Sequence, residues 1–214
     1  MKIDIWSDIM CPFCYIGKRK LETAMSQFPH QEEVEIIWHS FQLDPNIQHI
    51  PGKDIYSYLA DRYGKSREWS VNMHHQMVEN ARKDGLEYNF EKAIIANSFD
   101  AHRLIQMAKA HQLGALAEER LFKAYFTEGE NISDHETLIK IGAEIGLDTL
   151  EVTTMLSGDD FRANVNKDID QARTFGIRGV PFFLFNEKYA ISGAQPVEVF
   201  LNGLDTAWRN EKGI

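Results

Sequence analysis

The chain's two cysteines, Cys11 and Cys14, bracket Pro12-Phe13 directly after a short apolar strand, and this placement constrains the fold more than any other feature. Ile3 to Ser7 alternates as a strand does, with Ile3 and Ile5 on one face and Trp6 on the other. Pro12 suits a first helical turn, where its missing N–H has no intrahelical partner to lose. Leu21, Ala24, Met25 and Phe28 then recur at helical spacing as far as Pro29. Val34-Glu35-Ile36-Ile37-Trp38 reads as a second strand. Strand, helix and strand within about 40 residues make a βαβ unit, so the two strands are expected to be parallel with a right-handed crossover.

A helix N-terminus presents free N–H groups and about half a positive charge. Both stabilise a thiolate, and thiols so placed have pKa values lowered to about 3.5–7.5. The Cys11-Pro12-Phe13-Cys14 spacing brings the two sulfurs within reach across one turn. Cys11, at the expected exposed end, would attack a disulfide; Cys14, one turn in, would resolve the mixed disulfide. A zinc site needs about four ligands. There is no second cysteine pair, and adjacent His74-His75 is a poor substitute, so redox chemistry is preferred to metal binding.

After Leu43-Asp44-Pro45 the texture changes, and no convincing strand occurs from about Asp54 to Gly158. Ala101, Leu104, Ile105 and Ala108 mark one amphipathic helix, with Gly114 after its end; Leu116, Leu121, Ala124 and Tyr125 mark another. Ser133-Asp134-His135-Glu136 reads as a capping box closed by Gly146, and Asp148 caps a further helix. Strand chemistry returns at Val180-Pro181-Phe182-Phe183-Leu184-Phe185. Asn186-Glu187 is the expected turn and Lys188 to Ile191 the return strand. Ser192-Gly193-Ala194 leads to a last helix with Pro196 near its start. Pro181 is either an edge-strand proline or a cis-proline turn that exposes the preceding backbone to an extended peptide.

This order, β-α-β, a helical block, then β-β-α, gives an α/β chain of thioredoxin-like order with a large all-helical insertion. The expected division is residues 1–45 with 160–214, and 46–159 for the insertion. Ser7-Asp8-x-x-Cys11-Pro12-Phe13-Cys14-Tyr15-Ile16-Gly17 resembles the active-site segment of DsbA-like thioredoxin-fold oxidoreductases, and the cytoplasmic FrnE-like branch in particular. Phe41-x-Leu43-x-Pro45, Asn97 to Leu104, Gly176 to Phe183 and Ser192-Gly193-Ala194-Gln195 extend the likeness over nearly the whole chain. The resemblance implies thiol–disulfide oxidoreductase activity on disulfide-containing proteins, peptides or small molecules. Cys11 would be the nucleophile, Cys14 the resolving thiol and Pro181 a cis-proline facing them. Pro12, Phe13 and the Val180 backbone would contact substrate. The commonest family pair encloses Pro-Trp, so Phe13 keeps an aromatic ring without the indole donor. Kappa-class glutathione transferases and 2-hydroxychromene-2-carboxylate isomerases are related, usually with serine at the active-site position. They make a glutathione-dependent transferase or isomerase the alternative. No tightly bound cofactor and no metal are expected, with glutathione as a possible reductant or co-substrate.

Composition sets outer limits. The 214 residues are 43% hydrophobic and 26% charged, which suits an ordinary folded protein. A net charge of −9 argues against broad nucleic-acid binding. Asp4 and Asp8 interrupt the apolar run a secretory leader needs, and no window reaches the roughly 18 apolar residues of a membrane helix. A cytoplasmic protein with no membrane partner is the expectation. Several residues have ordinary readings. Asp8 is a helix cap rather than a proton carrier, and His39 is a hydrogen-bonded structural histidine. Asn97, Ser98, Ser192 and Gln195 are caps and turn residues rather than a glutathione pocket. His102-Arg103 is a packing and surface pair; Trp6, Trp38 and Phe41 are core. The acidic runs near Glu32 and Glu118 are solvated surface.

Overall fold

A computed structural model describes residues 1–50 and 52–214. The chain divides into two compact units, Met1–Leu43 with Val165–Ile214, and Asp44–Asn164.

The first unit carries a mixed four-stranded sheet in the order β2-β1-β3-β4. β1 (Lys2–Ser7) pairs in parallel with β2 (Glu35–Ser40) and antiparallel with β3 (Phe182–Phe185), which pairs antiparallel with β4 (Tyr189–Ser192). α1 (Pro12–Gln27) is the crossover between β1 and β2, and α9 (Val197–Lys212) closes the unit. Strand alternation sends β1 to both faces of the sheet. Ile3 and Ile5 join Phe183, Phe185, Leu21, Phe200, Leu204 and Trp208 in one core, with Trp38. Trp6 joins Ala172, Ile177 and Leu184 in a second, against which Phe41 and Val180 pack. Each such large apolar side chain contributes about 1.5–3 kcal/mol on burial.

α8 (Arg162–Thr174) lies between the helical block and β3, so the element order gains a helix that periodicity did not mark. The β3–β4 connection is a two-residue turn with Asn186 at φ 48° and Glu187 at φ 57°, and the Lys188 N–H donates to the Phe185 carbonyl at 3.0 Å. Two positive φ values match the twist of a hairpin, but only Asn186 suits that conformation by residue type. Glu187→Gly is therefore expected to raise stability by about 1 kcal/mol in urea unfolding; a loss would contradict the turn geometry.

The second unit is helical: α2 (Ile55–Tyr63), α3 (Arg67–Lys83), α4 (Phe99–Ala110), α5 (Gly114–Lys123), a π-helical turn (Ala124–Glu128), α6 (His135–Glu144) and α7 (Thr149–Ser157). Asp54, Ser66, Asp134 and Asp148 cap α2, α3, α6 and α7 through their side-chain oxygens. The reciprocal Ser133–Glu136 box does not form, because the Ser133 hydroxyl donates to Asn131 Oδ1 at 2.7 Å. Gly114 does not stop α4. Gln112, at φ 62°, makes that turn, and Gly114 opens α5 where a Cβ would fall 2.7 Å from Lys109 Cγ. The buried face of α5 runs through Ala117, Glu118, Leu121 and Phe122. Leu116, off that phase, is 55% exposed, and Glu118 is buried rather than solvated. His102 and Arg103 are both buried. Arg103 donates to the carbonyls of Asp160, Met155 and Gly158 and pairs with Asp100, so it clamps the end of α7 rather than facing solvent. Among the described residues no helix is long and apolar enough to cross a membrane.

Candidate active site

β1 ends at Ser7, and after Asp8, Ile9 and Met10 Cys11 occupies the N-cap of α1 with extended backbone (φ −91°, ψ 109°). Pro12 follows in the first turn, and no acidic residue lies in that turn to offset the positive end of the helix. The Cys11 N–H donates to the Asp8 carbonyl and the Cys14 N–H to the Cys11 carbonyl, both at 2.9 Å. These bonds fix the loop that delivers both thiols to the helix start. Both cysteines are free thiols.

The expected exposure of Cys11 is not what the fold provides. Cys11 is 3% exposed and Cys14 1%, whereas Phe13 between them is 45% exposed. Cys11 is covered by the segment before β3, its Sγ lying 3.5 Å from the Val180 carbonyl. The Val180–Pro181 peptide is cis. The Pro181 carbonyl accepts from the Gly193 N–H at 2.8 Å, which ties this turn to the end of β4.

Burial, reinforced by the hydrogen bond and charge of the Cys11 sulfur, pushes the Cys14 thiol well above its ordinary value. The Asp8 backbone and the Ser7 hydroxyl act in the opposite direction and are outweighed. Cys14 is thus held as a thiol.

Asp8 does not cap α1, which has no side-chain cap. Its buried carboxylate accepts from Met10 N–H at 3.3 Å and Leu43 N–H at 2.7 Å, bracing the cysteine loop against the chain leaving β2. His39 is a buried structural residue, held between Asp4 and Asp168. Asn97 Oδ1 accepts from the Phe99 N–H, and its amide donates to the carbonyls of Pro45 and Ile47. Gln195 donates to the Ser192 carbonyl at 2.9 Å. Gln195 thus shapes its turn as expected, whereas the Asn97 amide reaches 50 and 52 residues back along the chain and Ser98 stands at the N-cap of α4 without a side-chain cap bond. Among the described residues no group of three or more His, Cys, Asp or Glu side chains is placed to hold a metal.

Gly17 was not singled out as a functional residue, although a glycine inside a helical pattern is itself a signal of close approach. A Cβ there would stand 2.9 Å from Pro181 Cγ and 3.1 Å from Phe183 Cζ. The bare backbone lets the proline turn settle against α1. Gly17→Ala gains about 1 kcal/mol of helix propensity but forces apart two rigid rings, an overpacking cost of about 1–3 kcal/mol. The expected outcome is a lower urea midpoint; an unchanged or higher one would show that the proline turn yields without cost.

A DsbA-like thioredoxin domain model matches residues 2–205. The chain belongs to the DsbA-like thioredoxin family. A probable DsbA oxidoreductase from Streptomyces coelicolor is 34% identical and superimposes with a TM-score of 0.92, over 97% of this chain and 90% of that one. The uncharacterized protein YwbO of Bacillus subtilis is 28% identical over 200 residues, 92% of each chain. A cytosolic disulfide reductase, DsbM from Pseudomonas aeruginosa, shares the fold at 19% identity, with a TM-score of 0.70 over 98% of this chain and 99% of that one. Within this DsbA-like frame the chain is a thiol–disulfide oxidoreductase in general class.

Proposed function

We propose that the chain reduces or isomerises disulfides through a Cys11–Cys14 dithiol couple. The observation that carries this reading is the position of the two thiols. Cys11 caps a helix free of acidic residues in its first turn, against the Val180 carbonyl, and Cys14 lies one turn in with its proton held by burial. The Cys11 thiolate attacks one sulfur of a substrate disulfide. A Cys11–substrate disulfide forms, and the other substrate sulfur leaves as a thiolate that takes up a proton. Cys14 then loses its proton and attacks Cys11 Sγ. The Cys11–Cys14 disulfide forms and the second substrate thiol is released. The substrate gains two electrons and the dithiol loses two. Two molecules of a small thiol such as glutathione return them, becoming a glutathione disulfide.

The Val180 N–H has no partner among the described residues, and exposed Phe13 stands beside the thiols. An extended peptide can pair with that backbone and lay a side chain on the ring. Two thiols, rather than a serine at the active-site position, favour disulfide exchange over a glutathione-dependent transferase or isomerase. In a reducing compartment such as the cytoplasm the net direction is reduction or isomerisation. Insulin reduction with glutathione as donor tests the proposal. The rate is expected to rise in proportion to added protein; no acceleration over glutathione alone would overturn it.

A further inference from the structure

The helical unit contains a cavity of about 500 Å³ that the thiol chemistry does not use. Its lining includes four rings, Tyr56 of α2, His74 of α3, and Tyr88 and Phe90 of the segment between α3 and α4, beside polar groups such as Glu79, Glu91 and Lys92. The rings meet at steep angles. Tyr56 and His74 lie 4.9 Å apart at 83°, His74 and Phe90 4.5 Å at 76°, and Tyr88 and Phe90 5.5 Å at 75°. Edge-to-face walls of this kind suit a flat aromatic guest.

His74 distinguishes this lining from ordinary core packing. The residue is 2% exposed, and its Nδ1 lies 2.7 Å from the carbonyl of Ser70. A carbonyl only accepts, so Nδ1 carries the proton and the distal nitrogen, Nε2, is an acceptor. Nε2 has no partner among the described residues. Nε2 is not among the side-chain atoms sealed from solvent without a partner, so a guest can reach it. Burial holds the His74 pKa below its ordinary value, and the neighbouring His75 charge adds to this against the Ser70 carbonyl, so the ring stays neutral and Nε2 stays an acceptor near neutral pH.

The wall is held in place independently. The π-helical turn after α5 sets its carbonyls against the 87–90 segment. Asn89 N–H donates to the Phe126 carbonyl and the Asn89 amide to the Thr127 carbonyl, each at 2.7 Å, and the Thr127 hydroxyl donates to the Glu87 carbonyl at 2.7 Å. Tyr88 stacks on Phe126 with centroids 4.7 Å apart. π-helical turns recur at functional sites, and this one preforms the cavity wall rather than leaving it to a mobile loop.

We propose that this cavity binds a small planar aromatic molecule carrying a hydroxyl or N–H donor, with the rings of Tyr56, Tyr88 and Phe90 around it and its donor on His74 Nε2. None of its lining residues belongs to the thiol site, so the proposal stands or falls apart from disulfide exchange.

The test uses a matched pair of probes, 2-naphthol and 2-methoxynaphthalene, titrated into the full chain by calorimetry. Only the first offers a donor. One 2-naphthol is expected per chain, with 2-methoxynaphthalene weaker by about tenfold, the size of one lost hydrogen bond to a buried acceptor. His74→Phe keeps a ring but removes Nε2, and is expected to bring the two probes to equal affinity. Tyr56→Leu, at a half-buried wall position, is expected to weaken both probes while leaving their ratio. Thermal melts of each variant verify folding, and Cys11→Ser is expected to bind 2-naphthol as the parent does. No saturable binding of 2-naphthol, or equal binding of both probes by the parent chain, would overturn the proposal. Should His74→Phe fail to fold, the tenfold ratio in the parent and its persistence in Tyr56→Leu decide the matter.

Discussion

Cys11→Ser is expected to abolish disulfide exchange, lowering turnover by at least about 10³-fold, because a hydroxyl at the α1 N-cap is far too weakly acidic to attack a disulfide. Cys14→Ser is expected to fail differently. It retains the attacking thiol but cannot expel the product, so a covalent Cys11–substrate species accumulates. The rate of insulin reduction reads the first result, and mass spectrometry under non-reducing conditions the second. The asymmetry follows from the site. Cys11 sits at the helix start beneath the Val180 carbonyl, while Cys14 is one turn inside with its thiol proton retained by burial. The same burial makes Cys14 the slower thiol toward iodoacetamide, with the midpoint of its pH–rate curve displaced above that of an ordinary cysteine, about 8.5. Full turnover by Cys11→Ser, or a covalent adduct trapped on Cys14 instead of Cys11, would contradict the assigned roles.

His39→Ala is expected to cost about 3–5 kcal/mol of folding stability, a large part of what a domain of this size has. His39 Nε2 lies 2.7 Å from Asp4 Oδ1 and its Nδ1 2.9 Å from Asp168 Oδ1, and all three residues are buried. The imidazole also stacks on Trp6, with centroids 4.5 Å apart. Asp168 reaches further: its Oδ2 accepts from Ser40 N–H at 2.9 Å and its carbonyl from Trp6 Nε1 at 3.1 Å. One side-chain network thus ties β1, β2 and α8 together. Removing the ring leaves two buried carboxylates facing a void, with Lys2 Nζ 2.8 Å from Asp4 Oδ1. Urea unfolding of the reduced protein measures the cost. A change below about 1 kcal/mol would mean that water or relaxation replaces the network.

The sheet-forming ends of the chain were legible because their signals are local. The alternation in β1, Pro12 at the start of α1 and the apolar run of β3 each fit within a few residues. The side-chain cap at Asp148 was legible for the same reason, whereas the box expected from Ser133 gave way to a cap at Asp134, one residue on, because the Ser133 hydroxyl is taken by Asn131. α8 was not legible. Its sequence is polar, and the residues it buries are only Val165, Asp168 and Ala172, too sparse for an apolar stripe. Nothing local marks Asp168 as a buried partner of a histidine 129 residues away. The cover over Cys11 was hidden for a similar reason, since the Val180 carbonyl comes from 169 residues later in the chain. Arg103 shows the converse limit. Its charge suggested surface, yet three backbone carbonyls at the end of α7 offset its burial. The cysteine motif was readable, but the seat that Gly17 provides for Pro181 became evident only with the packing of α1 against that turn.

The most direct measurement is a redox titration of the purified chain in graded glutathione buffers, quenched by alkylation and read by mass. A two-electron couple between Cys11 and Cys14 predicts that both thiols disappear together, reversibly, around one midpoint, with no glutathione retained at the end. Two thiols that never pair, or a lasting glutathione adduct on Cys11, would contradict the couple and favour a glutathione-dependent transferase or isomerase.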